Sequence, residues 1–171
     1  MGSTPLTLAA LATSAVADLV VTGARTHTRA GEQSFVAAVL STDLGEVIVR
    51  VPNTSQAETV QAGEVLGQSA LTDGARAVLP FDVPRTLGQT RAGNTRAVVS
   101  SFLPGDPFAV AALAEDALLL QPLAETLAAI HELPHAIVRE QGLPVLTAAE
   151  TRANVARLVE RAIATLSLIH I

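Results

Sequence analysis

The chain has 171 residues, 49% of them hydrophobic, and a formal net charge of −5, a size that fits one domain or two small lobes. It contains no cysteine, and all eleven basic residues are arginine, which excludes disulfide scaffolds, thiol catalysis and any mechanism that needs a lysine. The acidic balance argues against a nucleic-acid partner.

The first predicted element is a helix. Residues 6–17 are apolar but lack the preceding basic residues of a signal peptide, and no apolar run approaches the ~18–20 residues of a membrane span. We therefore expect a cytoplasmic protein without a membrane partner. Ser3 or Thr4 can cap the helix, and Pro5 fits its first turn. The buried face of the helix is predicted to consist of Leu6, Ala9, Ala10 and Ala17.

Five extended segments and one further helix follow. Segments 19–28, 35–42 and 46–52 are rich in Val, Ile and Thr and are separated by short turns, which predicts an antiparallel meander. Residues 55–70 form the second predicted helix, with Thr54 or Ser55 as its N-cap. The last two strands are predicted at 81–90 and 95–102, joined by a turn at 92–94.

The character of the chain changes at the Pro/Gly-rich segment 103–107, after which every segment is predicted to be helical. The predicted helices are 109–116, 117–132 and 148–166. The middle helix carries a wide apolar stripe made of Leu119, Leu120, Leu123, Leu127 and Ile130. The fold class is therefore predicted to be α+β, with a β-rich lobe at 1–103 and the start of a helical lobe at 104–165.

Residues 131–135 match the H-E-x-x-H signature of zinc hydrolases. That chemistry needs His131 and His135 on one face of a continuous helix. Pro134 breaks such a helix, because its ring clashes with the carbonyl of the preceding turn. We expect the helix to end near Glu132, no bound metal, and a zinc hydrolase only as a remote alternative.

Arg50 is the one charged residue on an otherwise apolar stretch of the third strand. Alternation places Ile48 and Arg50 on one face of the strand, opposite the core-facing residues Val47, Val49 and Val51. The nearest carboxylates in sequence are Glu58 and Glu64, on the helix that follows. Arg50 could bind an anionic ligand or could form only a strand-to-helix ion pair, and the pattern alone leaves both open.

Two other segments could contribute to a ligand site. The hairpin turn at 29–35 contains one glycine and can present main-chain N–H groups to a phosphate. Segment 98–105 is an apolar strand that runs into a Pro-Gly break between the predicted lobes, where a cleft is a common binding site.

Jointly, these features resemble the aminoglycoside phosphotransferase family, which has a protein-kinase-like fold. The resemblance rests on the order of the elements, the basic residue on the third strand, the helix after it, and the segments 102–105 and 128–134. It covers about residues 4–165 and looks closest to actinobacterial macrolide 2′-phosphotransferase-like members. The implied fold is a five-stranded antiparallel lobe with one helix, followed by the first helices of the second lobe.

The resemblance implies transfer of the γ-phosphate of ATP or GTP, with Mg²⁺, to a hydroxyl of a small molecule, typically an antibiotic. Ser34 and Phe35 would lie at the phosphate-covering turn, and Ile48 would cover the base. Arg50 would take the position of the lysine that holds the α- and β-phosphates in kinases. Arginine can bind phosphate through two parallel N–H groups of its guanidinium, although this geometry differs from that of the lysine ammonium. Glu64 would be its carboxylate partner.

The same resemblance assigns Ser101, Phe102 and Leu103 to the hinge that hydrogen-bonds the base. Glu58 is the second choice for the partner of Arg50, and His131 would be structural. The partners implied are a nucleotide and a small-molecule acceptor, a macrolide or an aminoglycoside.

The catalytic part of the family pattern is missing from this chain. No aspartate follows Asp116, so neither the catalytic nor the metal-binding aspartate is supplied, and residues 166–171 leave the family pattern. We expect a truncated reading frame with a non-native tail at 166–171, no catalytic residue or magnesium ligand in this chain, no activity of its own, and self-association through exposed helices. The alternative is a non-catalytic nucleotide- or partner-binding module that ends here.

Overall fold

The computed structural model describes residues 4–27, 34–105, 117–140, 143 and 146–169. The β-rich part contains, in chain order, α1 (Pro5–Ala15), β1 (Val21–Thr26), β2 (Phe35–Thr42), β3 (Gly45–Pro52), α2 (Ser55–Ala70), α3 (Asp73–Ala77), β4 (Thr86–Ala92) and β5 (Thr95–Ser101). A 3₁₀ turn (Ala117–Leu119) then leads into α4 (Leu120–His131), α5 (His135–Glu140) and α6 (Ala148–Ile169). None of the helices in these ranges is both long and apolar enough to cross a membrane.

The five strands form one sheet in the order β1-β2-β3-β5-β4, and every neighbouring pair is antiparallel. This confirms the predicted meander of β1 to β3. The β4–β5 hairpin turns where the sequence predicted, and Gly93 takes the positive φ of 65° that a tight turn requires there. In the register, Arg50 lies opposite Ala37 on one side and Val98 on the other.

Both faces of the central strands are covered, which explains their long apolar runs. Alternate residues such as Val47, Val49 and Val99 pack with α1 in the main core. Their neighbours Val39 and Val98 are equally buried on the opposite face, on the side of α2. The alternation predicted for β3 is confirmed, since Val47, Val49 and Val51 are buried while Ile48 and Arg50 are partly exposed.

Helix α1 begins as predicted, because the Thr4 hydroxyl accepts the Thr7 N–H and Pro5 occupies the first turn. The predicted buried face was wrong except at Ala9, which packs against the core. Leu6 is 78% exposed, and Leu8 and Ala12 enter the core instead. The reason is tertiary, since the sheet surface selects which side of this almost uniformly apolar helix is buried.

The C-terminal end of α1 passes directly over Gly88 on β4. A Cβ atom at this glycine would lie 2.1 Å from the carbonyl oxygen of Ala15, well inside van der Waals contact. The β4–β5 register also shifts between Thr86 and Gly88. The helix therefore reaches the edge strand only because residue 88 has no side chain.

Helix α2 has the predicted bounds, and its N-cap Thr54 accepts the Ala57 N–H at 3.1 Å. The short helix α3 was not predicted, and residues 81–85, predicted as strand, lie outside β4. This segment is held instead by Arg76, whose guanidinium donates to the carbonyls of Val83 and Pro84 as well as to two carbonyls at the end of α2.

The helix predicted at 117–132 ends before Pro134, within one residue of its predicted end. Helix α4 ends at His131, and α5 begins at His135. Helix α5 itself was not predicted, and the predicted helix at 109–116 lies outside the described residues. Helix α6 has the predicted start at Ala148 and extends to Ile169. No residue of α4 is buried, so the apolar stripe of this helix is accessible to solvent.

Candidate functional site

A cleft of about 310 Å³ opens on the α2 side of the sheet, where β2, β3 and the end of β5 meet. Seven of the eight residues predicted from the sequence line it. They are Phe35, Ile48, Arg50, Glu64, Ser101, Phe102 and Leu103. These side chains come from four separate parts of the chain, which only the fold brings together.

Arg50 is fixed in this cleft by two neighbours. Its Nη2 donates to Oε2 of Glu64 in an ion pair whose side chains are 25% and 36% exposed. Its Cζ also lies 4.9 Å from the centroid of the Phe35 ring, a cation–π distance. Glu58, the second-choice partner, lies in a different surface pocket with Arg91 and Arg96. Helix α2 thus places Glu64, and not Glu58, beside Arg50.

The guanidinium of Arg50 keeps unused hydrogen-bond donors. It has five N–H groups, and the bond to Glu64 is its one hydrogen bond to a side or main chain within the described residues. Glu64 is also the one carboxylate among the cleft-lining residues. A cation with free donors in a partly buried pocket is suited to a planar or tetrahedral oxyanion, phosphate in particular.

The end of β5 provides a main-chain edge beside the cleft. The Phe102 N–H donates to the Glu46 carbonyl at 3.0 Å, and the Ser101 N–H donates to the Arg85 carbonyl at 2.9 Å. The Leu103 N–H has no hydrogen-bond partner in the described part of the chain. The Leu103 N–H, at the edge of the cleft, is therefore available to a ligand.

The Phe102 ring is held in place by two side chains from the end of β1. The His27 ring meets it edge-on, with centroids 5.6 Å apart. The Cζ of Arg25 lies 5.3 Å from the same centroid. These contacts fix one wall of the cleft.

Ser34 is the predicted site residue that does not line the cleft. It is exposed, and its carbonyl accepts the Asn53 N–H at 2.8 Å. The turn that it was assigned to spans residues 29–35, of which 29–33 lie outside the described residues. Of the two described residues of this turn, Phe35 is the one placed against Arg50.

Five further residues line the cleft that were not predicted as site residues, namely His27, Ala37, Gln68, Pro84 and Ser100, although Ser100 lies within the candidate segment 98–105. For three of them a signal was present. Ala37 and Ser100 are the cross-strand partners of Arg50 and Ile48, and Gln68 follows Glu64 by one helical turn. His27 and Pro84 lie outside regular elements, where no periodicity could indicate them.

A comparison with protein-family models decides which family this architecture represents. The model described as the phosphotransferase enzyme family, APH, matches residues 26–169. The chain belongs to this family. No individual curated protein matches the chain with significant similarity. The antiparallel five-stranded sheet with its helices is the α+β, kinase-like fold of the APH family, as the sequence predicted. Members of such a family use a nucleotide with Mg²⁺.

The residues that line the cleft of this APH-family chain do not offer the ligands of a magnesium ion. Magnesium needs oxygen ligands from carboxylates, and Glu64 is already engaged by Arg50. The described residues contain no group of three or more His, Asp or Glu that could hold a metal ion. The zinc motif is also divided between two helices, because α4 ends at His131.

Proposed function

We propose that this chain binds ATP or GTP in the cleft around Arg50 and is the nucleotide-binding part of a small-molecule phosphotransferase. The observation that carries the proposal is the state of Arg50, which is held by Glu64 and Phe35 while donors of its guanidinium stay free. An ion pair serving only stability would not need a 310 Å³ cleft beside it. Family membership supports the same reading.

Each cleft residue then has a role that follows from its position. Arg50 binds the α- and β-phosphates through charge-assisted hydrogen bonds. Ile48, on the same face of β3, covers the base, and Leu103 donates its free N–H to the base edge. Ser101 and Phe102 form the rest of the hinge. Phe35 and Ser34, at the end of the turn before β2, lie on the phosphate side.

The reaction we propose for the whole enzyme moves the γ-phosphoryl group from the nucleotide to a hydroxyl of a macrolide or an aminoglycoside. The bond between the β,γ-bridging oxygen and the γ-phosphorus breaks, the acceptor oxygen forms the new bond, and the hydroxyl proton leaves to a base. This chain supplies nucleotide binding and orientation. No aspartate follows Asp116, so we propose that the 171 residues alone do not catalyse the transfer.

The proposal extends to organisation and location. We assign residues 1–103 to the nucleotide-binding lobe and the residues from 104 onwards to the helical lobe. Both the family match and helix α6 run to residue 169, so 166–171 is not assigned separately. The cytoplasm is the proposed compartment, because ATP and GTP are available there. An antibiotic acceptor would make the whole enzyme a resistance factor.

The test is calorimetric titration of the 171-residue chain with ATP and with GTP, each with Mg²⁺. We expect Arg50→Gln to weaken binding by about 10- to 100-fold, since charge-assisted hydrogen bonds are worth ~1.5–3 kcal/mol. Glu64→Gln should weaken it less, because it removes only the group that orients Arg50. The matched control is Arg91→Gln, an exposed arginine on β4 outside the cleft.

Two results would contradict the proposal. Wild-type chain that binds neither nucleotide overturns it directly. Unchanged affinity in Arg50→Gln, together with a lower free energy of unfolding, would show that Arg50 and Glu64 form a purely structural ion pair. Transfer of phosphate to an antibiotic by the purified 171-residue chain would overturn the statement that the chain is inactive alone.

A further inference from the structure

Gln61 occupies a position of α2 where an amphipathic helix normally places an apolar residue. Its side chain is fully buried, with a relative exposure of 0%. It lies three residues before Glu64 and four after the buried Ala57, on the side of the helix that faces the sheet. A buried polar residue is more informative than a buried apolar one, because it needs a reason to be there.

The amide of Gln61 contacts the main chain of Arg50. Its Nε2 donates to the Arg50 carbonyl oxygen at 3.1 Å. Since a carbonyl oxygen can only accept, this contact also fixes which end of the amide faces β3. Arg50 is therefore held by α2 at two points, with its main chain bound by Gln61 and its guanidinium bound by Glu64.

Stability alone does not explain this residue. The Oε1 atom of Gln61 is buried and has no hydrogen-bond partner within the described residues. A buried acceptor without a partner costs more free energy than a typical neutral hydrogen bond contributes. A methionine of similar length would fill the same space without that cost. What the amide adds is a directional tie between α2 and β3 at Arg50.

We propose that Gln61 is a positioning residue for the phosphate site. Its hydrogen bond fixes the distance between α2 and β3 at Arg50, so that Glu64 orients the guanidinium before a nucleotide arrives. This inference rests on the proposed function, since it needs a phosphate at Arg50. It adds that α2 is locked against the strand by a buried main-chain contact as well as by the partly exposed ion pair.

The experiment compares Gln61→Met with Gln56→Met, the same substitution at an exposed position in the first turn of α2. Binding of ATP with Mg²⁺ and of adenosine is measured by calorimetry on the full 171-residue chain, and unfolding is followed by heat. We expect Gln61→Met to weaken ATP binding by about three- to tenfold, the range of one misplaced hydrogen bond. The affinity for adenosine should not fall, because adenosine carries no phosphate. The midpoint of unfolding should not fall either, because methionine removes the buried acceptor that has no partner.

A double-mutant cycle gives the second readout. In the Arg50→Gln variant there is no guanidinium for the hydrogen bond of Gln61 to position. Adding Gln61→Met to this variant should therefore cause no further loss of ATP affinity. Additive losses would overturn the inference. So would unchanged ATP affinity in Gln61→Met, or equal losses for ATP and adenosine with a lower midpoint, which is the behaviour of a purely structural residue. Wild-type chain that binds no nucleotide overturns the proposed function itself, and the inference with it.

Discussion

Arg76 connects two parts of the fold through main-chain carbonyl groups. Its Nε donates to Leu71 at 2.8 Å and its Nη2 to Gln68 at 3.0 Å, both at the C-terminal end of α2. Its other bonds reach Val83 and Pro84, in the segment before β4. Helix ends leave carbonyls without partners, and here the Arg76 guanidinium bonds the Leu71 carbonyl and adds a second donor to the Gln68 carbonyl, which also accepts the Leu71 N–H. Burial, and next the charge of Arg85, lowers the pKa of the Arg76 guanidinium, which still stays protonated at neutral pH.

Replacing this side chain should therefore affect stability more than an ordinary surface change. We expect Arg76→Ala to lower the free energy of unfolding by about 2–3 kcal/mol, since the carbonyls lose a charged donor. Denaturant unfolding measures it. Arg96→Gln, at an exposed position without an ion pair in the described residues, is the control and should change stability by less than about 0.5 kcal/mol. Equal losses of unfolding free energy in Arg76→Ala and Arg96→Gln would show that the hydrogen bonds of Arg76 do not contribute to stability.

At this scale the sequence predicted residues whose positions follow from local periodicity. The alternation of β3 placed Arg50 on the face opposite the core, whereas the choice of Glu64 over Glu58 as its partner came from the family resemblance. Gln61 and Arg76 could not be predicted in the same way. Their partners are main-chain carbonyls, which have no sequence signature, and those carbonyls are brought near only by the packing of α2 and the segment before β4.

Gly88 and Gly63 should respond in opposite ways to replacement by alanine, because only at Gly88 is there no room for a methyl group. Gly88→Ala places a methyl group against the Ala15 carbonyl, so α1 must move and we expect a loss of about 2 kcal/mol or more. Gly63, inside α2, has no atom within 4 Å of the position of a Cβ, so Gly63→Ala should stabilise the protein by about 0.5–1 kcal/mol. Thermal unfolding measures both variants. Similar shifts in the same direction would show that α1 does not pack on β4 as described.

Helix α6 begins with a reciprocal capping box that makes its start sensitive to pH. The Thr147 N–H donates to Oε2 of Glu150 at 2.7 Å, and the Thr147 hydroxyl accepts the Glu150 N–H at 3.2 Å. These bonds hold the pKa of Glu150 below its ordinary value of 4.5, the main-chain bond being the larger cause.

Because the folded pKa of Glu150 is lowered, its contribution is present above pH 4.5 and is lost as the pH falls through the lowered value. We expect the protection factors of the amides in the first turn of α6, meaning the intrinsic exchange rate at each pH divided by the observed rate, to fall over that range. Glu150→Gln should abolish this pH dependence, because glutamine can also form a capping box but does not titrate. If the pH dependence were the same in Glu150→Gln as in the wild type, a group other than Glu150 would be its cause.

Among the elements, β2, β3, β5 and α2 were predicted best. Their bounds follow from β-branched residues, turns and N-caps, which are all local, and α2 matched residue for residue. The short helices α3 and α5 were missed because five or six residues carry too little periodicity. The buried face of α1 was wrong for a different reason. Leu6 and Leu8 are equally apolar, and only the shape of the sheet decides between them.

The helices after the sheet expose apolar residues on a scale that affects the molecule as a whole. On α4 these are Leu120, Leu123, Leu127 and Ile130, and on α6 they are Val155, Leu158, Val159 and Ile163. Apolar surface of this extent favours association. We expect the chain to self-associate with increasing concentration.

Sedimentation velocity over a range of concentrations measures this association. Leu158→Glu should shift the population towards monomer, since it places a charge in the apolar stripe of α6. Ala153→Glu adds the same charge on the opposite side of the helix and should have little effect. A monodisperse wild-type monomer at all concentrations would contradict the prediction.

Helix α1 contacts all five strands of the sheet, although it is the first element in the chain. It has eleven residues, and isolated helices shorter than ~12–15 residues are marginal in water. Its resting place over Gly88 does not exist until β4 has been made. At ~5–20 residues per second on the ribosome, roughly 4–15 s separate the synthesis of Ala15 from that of Gly88. Helix α1 can therefore take its final position only after β4 has been synthesised, although it precedes the whole sheet in the chain. Its leucines remain available to chaperones until then.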